Sequence, residues 1–176
     1  MGDVYIEHLV KKSPTTKDIA MRALIVAFFV FMCAIGFLVM VTITPIGLLL
    51  PLVAGFVMLY LLSFFSVEYE YTLTNGELDI DIIYDKRRRK RLLSAELKKF
   101  EIMCHVTDTA HEHTFTRAQV YKDYSSGIIG PNTYKFFYGD KGSLMAVAFE
   151  PSDEILNAAK VYMGSGKLKM LKEGAS

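Results

Sequence analysis

The clearest candidate for chemistry is a group of thiol, imidazole and carboxylate side chains. Its members are Cys104, His105, Asp108, His111, Glu112 and His113. These are the groups that bind zinc, and His111 and His113 would share one side of an extended segment. Their spacing matches no established zinc motif, and Cys104 and His105 would point to opposite faces of a strand. The sequence therefore predicts no metal site and no catalytic residue, and a metal-dependent enzyme is only the third choice of function.

A second candidate is a run of basic residues. It consists of Lys86, Arg87, Arg88, Arg89, Lys90 and Arg91. Each basic residue near an acidic leaflet contributes roughly 1 kcal/mol to the binding of anionic headgroups. The run also follows a segment that places Glu77, Asp79 and Asp81 on one face, where neighbouring carboxylates need cations beside them. Neutralisation inside the domain is favoured over lipid binding, and both interpretations stay open.

The segment between Tyr121 and Tyr134 carries two adjacent aliphatic residues, Ile128 and Ile129. It contains no phosphate-binding glycine pattern, so it is interpreted as a long turn. Aliphatic side chains at the tip of a loop commonly contact another molecule. Ile128 and Ile129 are therefore the candidate surface for a protein partner.

Composition excludes several classes of protein. The 176 residues include 20 Lys and Arg against 19 Asp and Glu, and 52% are hydrophobic. This balance argues against a nucleic-acid-binding protein and against a disordered chain. Cys33 and Cys104 are expected at different depths, one in an apolar stretch and one in a polar part, which excludes a disulfide framework. The sequence also predicts no cofactor.

Residues 23–66 contain no Asp, Glu, Lys, Arg or His. This stretch is about twice as long as one membrane-spanning helix of about 20 residues. Thr44 can cap a second helix whose first turn contains Pro45, because proline loses no helical hydrogen bond there. We therefore expect a transmembrane hairpin with helices at about 19–43 and 45–66, packed closely through its glycines.

The charges that flank the hairpin predict its orientation. Lys11, Lys12, Lys17 and Arg22 precede it, the basic run follows it, and the connecting turn is uncharged. Positive flanks stay on the cytoplasmic side. The expected location is the cell membrane, with two spans and both termini in the cytoplasm.

After the hairpin the hydrophobic pattern changes to a period of two. Val67, Tyr69, Tyr71 and Leu73 alternate with polar residues, which is typical of a strand with one buried face. Asn75-Gly76 then supplies a type I′ turn into a second strand. Further strands are predicted at about 88–93, 100–106, 115–121, 133–138 and 143–149. Pro151, Asp153 and Glu154 then open an amphipathic helix that ends at Gly164.

Seven antiparallel strands followed by one helix predict a pleckstrin-homology-like (PH-like) barrel capped by that helix. The run VEYEYTLTNGELDIDIIYDKRRRKRLLSAELKKFEI resembles the first half of bacterial PH-like domains that follow a pair of membrane helices. With FEPSDEIL opening the last helix, the chain to about Met163 is similar to a family of small bacterial two-helix membrane proteins with a PH-like cytoplasmic domain. The resemblance implies the fold and carries no catalytic residue.

The predicted organisation has four parts: a cytoplasmic segment at 1–18, the transmembrane hairpin at 19–66, a PH-like β domain at 67–163 and a flexible tail at 164–176. The favoured function is a non-catalytic, membrane-anchored domain for protein assembly or scaffolding. The alternative is a regulatory module that senses anionic lipids through residues 86–91. The expected partners are the lipid bilayer and a protein partner or a second copy of the chain, with no nucleic acid.

Overall fold

The computed structural model describes residues 3–140, 143–164 and 166–169. These residues form four α-helices: α1 Thr16–Thr42, α2 Leu49–Ser63, α3 Glu112–Phe115 and α4 Asp153–Met163. They also form nine strands: β1 Tyr5–Lys11, β2 Val67–Thr74, β3 Glu77–Tyr84, β4 Arg88–Glu96, β5 Phe100–His105, β6 Val120–Asp123, β7 Tyr134–Asp140, β8 Ser143–Phe149 and β9 Leu168–Lys169. The chain divides into a helical unit, residues 14–67 and 84–88, and a sheet unit that holds the rest.

The helical unit contains the expected break between two helices. Thr15 and Asp18 form a capping box at the start of α1. The Thr44 hydroxyl accepts a hydrogen bond from the Ile46 N–H, and Pro45 opens a 3-10 turn that leads into α2. This confirms the predicted roles of Thr44 and Pro45. Pro51 lies in the first turn of α2, where it removes no helical hydrogen bond.

Two glycines let the helices approach each other closely. Gly36 of α1 and Gly47 of the connecting turn are both buried. A Cβ on Gly47 would lie 2.5 Å from the Gly36 carbonyl oxygen, and one on Gly36 would lie 2.6 Å from Cδ of Pro51. Any side chain at either position would force the helix backbones apart, as expected for membrane helices that pack through small residues.

Both helical segments are long and apolar enough to cross a membrane. They run from Thr16 to Thr42 and from Pro45 to Ser63, and only 6% of each apolar window is buried. The core helix of a soluble protein would be mostly buried. Exposed apolar surface on this scale indicates membrane association.

The first sheet has the order β1-β2-β3-β4. Between β2 and β3, Asn75 and Gly76 both have positive φ, 48° and 89°, as the type I′ turn requires. Tyr71, Leu73, Leu78 and Ile80 are fully buried. The hairpin predicted from the alternating pattern is therefore confirmed.

Strand β1 is a feature that the sequence analysis did not anticipate. It pairs antiparallel with β2 from Tyr5 opposite Thr74 to Lys11 opposite Glu68. Two strands that are neighbours in this sheet are thus separated in the chain by the whole helical hairpin. The two helices replace the short loop that normally joins such a pair.

The second sheet has the order β6-β8-β7-β5-β9. β6 pairs parallel with β8, and β9 pairs parallel with β5. The prediction of a seven-stranded antiparallel barrel is therefore wrong: the described residues form sheets of four and five strands that do not close. β1 adds to the edge of the first sheet. Where one strand was expected at 115–121, helix α3 ends at Phe115 and β6 begins only at Val120.

The core of the sheet unit is aromatic. Phe100 stacks on Phe136 at 4.2 Å between ring centroids, and Phe149 packs edge-on against Phe136 and Tyr71. Helix α4, capped by the Ser152 hydroxyl, buries Ile155, Leu156, Ala159 and Met163. The prediction of a mostly-β domain with a C-terminal helix is therefore confirmed, with two open sheets in place of a barrel.

The predicted tail at 164–176 falls largely outside the described residues. Ser165 and residues 170–176 are not described. Within the described part, β9 places Leu168 opposite Met103 of β5. This segment therefore adds an edge strand to the second sheet.

Candidate functional site

The basic run divides into two sets. Asp85 and Lys86 adopt positive φ in the turn between β3 and β4, and the Arg87 N–H closes this turn on the Tyr84 carbonyl at 3.0 Å. Residues 84–88 belong to the helical unit, whereas residues from Arg89 onward belong to the sheet unit. Two residues of the second set, Arg89 and Arg91, have buried carboxylate partners, which no residue of the first set has among the described residues.

Arg89 and Arg91 neutralise carboxylates on β2 and β3. Arg89 Nη2 lies 2.6 Å from Glu70 Oε1. Arg91 Nε donates to Asp81 Oδ1 at 3.1 Å, and its Nη2 lies 3.0 Å from Asp79 Oδ2. The side chains of Glu70 and Asp81 are only 6% exposed. Isolated charges at that depth are costly, so these two arginines stabilise the sheet.

The pKa shifts of this group follow from burial and pairing. Burial raises the pKa of the Glu70 carboxyl, and the positive charge of Arg89 opposes that rise. The hydrogen bond to Asp81 raises the pKa of the Arg91 guanidinium. Arg89 and Arg91 thus neutralise buried carboxylates of the first sheet.

The other basic residues are more available to bind an external anion. Lys86, Arg88 and Lys90 are exposed and form no ion pair within the described part of the chain. Arg87 Nε lies 4.0 Å from Asp85 Oδ2, and the Arg87 side chain is 85% exposed. A pair this long and this exposed is weak, which leaves Arg87 free to bind an external anion.

A cavity of about 120 Å³ lies inside the helical unit, where α2 ends and the β3–β4 turn begins. Its lining residues are Tyr60, Ser63, Phe64, Tyr84, Asp85, Arg87 and Arg88. The Asp85 N–H donates to the Ser66 carbonyl at 2.9 Å, which ties the turn to the chain just after α2. The cavity therefore combines aromatic rings, a hydroxyl and two guanidinium groups.

Arg22 reinforces the same end of the helical unit. Its Nη2 donates to the Phe65 carbonyl at 3.0 Å, and its guanidinium carbon lies 5.4 Å from the centre of the Phe65 ring. A cation beside the last carbonyls of a helix is favourable because it opposes the helix dipole. This contact joins the start of α1 to the end of α2.

The loop from Tyr124 to Thr133 is held in place by hydrogen bonds to other parts of the sheet unit. The Ser126 hydroxyl donates to Glu150 Oε1 at 2.7 Å, and the Ser13 N–H donates to the Ser126 carbonyl at 2.8 Å. The Tyr71 hydroxyl donates to the Tyr124 carbonyl at 2.6 Å. The tips of the loop, Ile128 and Ile129, are 64% and 69% exposed. An ordered loop thus presents two adjacent aliphatic side chains to its surroundings.

Several of the residues considered as zinc ligands are buried or contact other protein groups. Burial raises the pKa of the Cys104 thiol to about 11. His105 is buried, with Nδ1 2.7 Å from the Thr107 hydroxyl and Nε2 2.9 Å from the Gly130 carbonyl. His111 Nδ1 lies 2.9 Å from Asp108 Oδ2. No group of three or more His, Cys, Asp or Glu side chains among residues 3–140, 143–164 and 166–169 is placed to hold a metal ion.

These features together define a membrane-associated protein with a PH-like β module. The chain belongs to the bacterial PH-like domain family DUF6106, whose family model matches residues 2–168. The match includes both apolar helices as well as the sheets, and it confirms the resemblance found in the sequence. It supports a non-catalytic module as the broad functional class. Neither the curated proteins nor the solved structures contain a match to the chain.

Proposed function

We propose that this protein is a non-catalytic membrane anchor that holds its PH-like domain at the cytoplasmic face, where the domain assembles with a protein partner or a second copy of the chain. The observation that carries the proposal is the pairing of β1 with β2. Because Lys11 and Glu68 are opposite each other in one sheet, the chain must leave and re-enter that sheet at the same place. This pairing supports a topology in which both ends of the hairpin lie on one side of the membrane, as they do with two spans.

The positive flanks favour the cytoplasm as that side. Four basic residues precede the first span and the basic run follows the second, while the connecting turn has no charge. The links between sheet and helices are residues 12–15 and 64–66. Two short links are suited to holding a bound partner next to the bilayer, in contrast to one long flexible linker.

The proposed partner surface is the tip of the loop at Ile128 and Ile129. Its hydrogen bonds to Glu150 and Ser13 hold the loop in place, so little conformational entropy is lost when a partner binds. Exposed aliphatic side chains on a preorganised loop favour an apolar contact with another protein.

A photoreactive amino acid at position 128 tests this proposal in intact cells. We expect irradiation to give a covalent adduct with a protein, at twice the mass of the chain if the partner is a second copy. The matched control carries the same amino acid at Val161, which is 62% exposed on α4. Position 161 should give no such adduct. Adducts with lipid alone at position 128, or equal protein adducts at both positions, would refute the assembly proposal.

A second candidate function, a module that senses anionic lipids, is favoured by a specific observation. Lys86 and Arg88 are exposed and have no ion pair in the described ranges, unlike Arg89 and Arg91. The lipid-binding interpretation of residues 86–91 is therefore supported best for the turn at 86–88, because Arg87 and Arg88 line the cavity, whereas Lys90 is exposed but lies outside that lining. It is compatible with assembly, because the two surfaces use different residues.

A further inference from the structure

We propose that the cavity at the end of α2 binds the phosphate of an anionic phospholipid headgroup. The inference rests on the membrane anchorage in the proposed function and not on any protein partner. Arg87 and Arg88 bind the phosphate, while Tyr60 and Phe64 contact the glycerol and upper acyl region. The class of ligand is a phosphodiester with net negative charge and an apolar tail.

The charge of the site favours an anion. The turn at 85–88 carries three basic residues, Lys86, Arg87 and Arg88, and one carboxylate, Asp85, which also lines the cavity. The Asp85 carboxylate lies 4.0 Å from Arg87 Nε, and with three basic residues beside one carboxylate the turn keeps a net positive charge. Arginine suits this role because its planar guanidinium can donate two parallel hydrogen bonds to one phosphate.

The chemistry of the walls selects a lipid over a free ion. Tyr60 and Phe64 pack edge to face at 5.0 Å and are 59% and 45% exposed. Both lie in or just after the last turn of α2, and aromatic side chains at helix ends are typical of the headgroup level of a bilayer. An inorganic phosphate would gain nothing from these rings, whereas a lipid buries apolar surface against them.

The size of the cavity fits a headgroup phosphate. Its volume of about 120 Å³ is roughly four times the share of liquid volume that one water occupies. The Ser63 hydroxyl donates its proton to the Tyr60 carbonyl at 2.7 Å, so the arginines are left to supply the donors to the phosphate. The cavity lies wholly within the helical unit, so its residues belong to one compact body.

The chain contains no tryptophan, so one introduced tryptophan can report on the lipid beside it. We would place it at Phe64 in the full chain and reconstitute the protein into phosphatidylcholine vesicles containing a minor fraction of brominated phosphatidylglycerol or brominated phosphatidylcholine. Quenching by brominated phosphatidylglycerol should exceed that by brominated phosphatidylcholine. The expected preference is roughly fivefold for each arginine that contacts the phosphate.

Two controls isolate the site. Ile19→Trp places the reporter at the start of α1, outside the cavity lining, and should show a weaker lipid preference than Phe64→Trp. In the Phe64→Trp background, Arg87→Gln with Arg88→Gln should bring the preference close to one. Lys90→Gln with Lys98→Gln removes the same amount of charge from exposed positions outside the cavity lining and should leave the lipid preference unchanged.

The inference is overturned if Phe64→Trp is quenched equally by both lipids, or if the two double substitutions have the same effect. A further arm adds inorganic phosphate at constant ionic strength. Unchanged quenching supports a lipid ligand, whereas relief of quenching would mean that the site takes free phosphate. Protein adducts at position 128 are scored separately, so failure of the lipid site and failure of assembly are distinguishable.

Discussion

Tyr71→Asp is expected to unfold the sheet unit. Tyr71 is fully buried, its ring packs edge-on against Phe149 at 5.6 Å, and its hydroxyl donates to the Tyr124 carbonyl. Removing a buried aromatic ring costs about 3–5 kcal/mol. The new carboxylate would in addition be buried without a cation, and the sum approaches the whole stability of an ordinary domain.

The matched control is Thr72→Asp, one residue along the same strand. Thr72 is partly exposed and lies opposite Glu7 of β1. The expected cost is the repulsion between like charges across a strand pair, up to about 1 kcal/mol. Limited proteolysis of the full chain in detergent should show rapid cleavage within residues 68–150 for Tyr71→Asp only. Equal cleavage in both variants would contradict the assigned faces of β2.

Arg89→Gln is expected to destabilise the sheet unit, whereas Arg88→Gln is not. Loss of Arg89 leaves Glu70 buried without its cation, and among the described residues Asp81 then keeps Arg91 as its remaining ion-pair partner. The expected cost is about 2 kcal/mol, less than for a fully buried pair because water screens the half-exposed Arg89. Arg88 has no such partner in the described ranges, so its replacement should change stability by less than about 0.5 kcal/mol.

The stability lost in Arg89→Gln should depend on pH, in a direction that follows from the pKa of Glu70. Burial already raises the pKa of Glu70, and removal of Arg89 takes away the effect that opposes this rise. A carboxyl whose pKa is higher in the folded state favours folding when protonated, and that contribution is lost as pH rises through the folded-state pKa. The stability difference between Arg89→Gln and the parent chain should therefore be smallest at acid pH and grow towards neutral pH.

Thermal unfolding of the two variants at several pH values provides the measurement. Adding Glu70→Gln to Arg89→Gln should recover part of the lost stability at neutral pH, because the uncompensated charge is gone. If Arg88→Gln lowers the unfolding temperature as much as Arg89→Gln does, the division of the basic run at position 88 is wrong.

Several elements could be predicted from local patterns. The helical break needs only Thr44 and Pro45, and the β2–β3 hairpin needs only Asn75-Gly76 between two alternating segments. Helix α4 follows from the acidic first turn and the terminating Gly164, although Pro151 precedes the helix and its cap, Ser152, was not predicted. In each case the residues that decide the structure are close together in the sequence, so propensity and periodicity suffice.

Strand β1 shows where local reasoning stops. YIEHLVK alternates between apolar and polar residues, but a short alternating segment gives no information about its partner. The partner, β2, follows only after two membrane-length helices. A fragment that begins at Val67 would lack β1 and leave the edge of β2 open, so the full chain is the appropriate material for every experiment.

The candidate sites divide in the same way. The spacing of the basic run and the neighbouring carboxylates is visible in the sequence and favours neutralisation. Sequence could not divide the run, because Arg88 and Arg89 are adjacent and differ only in the three-dimensional groups beside them. The cavity at Tyr60 and Arg87 likewise joins residues that are distant in the chain, so no motif could indicate it.

The central claim is that a hairpin inserted between β1 and β2 holds the PH-like domain at the cytoplasmic face. Single cysteines at Tyr5, Ile46 and Ser143 test it with a membrane-impermeant thiol reagent in intact cells, with Cys33 and Cys104 replaced. Tyr5 lies in β1, Ile46 is 67% exposed in the turn between the helices, and Ser143 begins β8. We expect labelling at position 46 only, and at positions 5 and 143 only after the cells are permeabilised. Labelling of position 5 or 143 in intact cells would contradict the account.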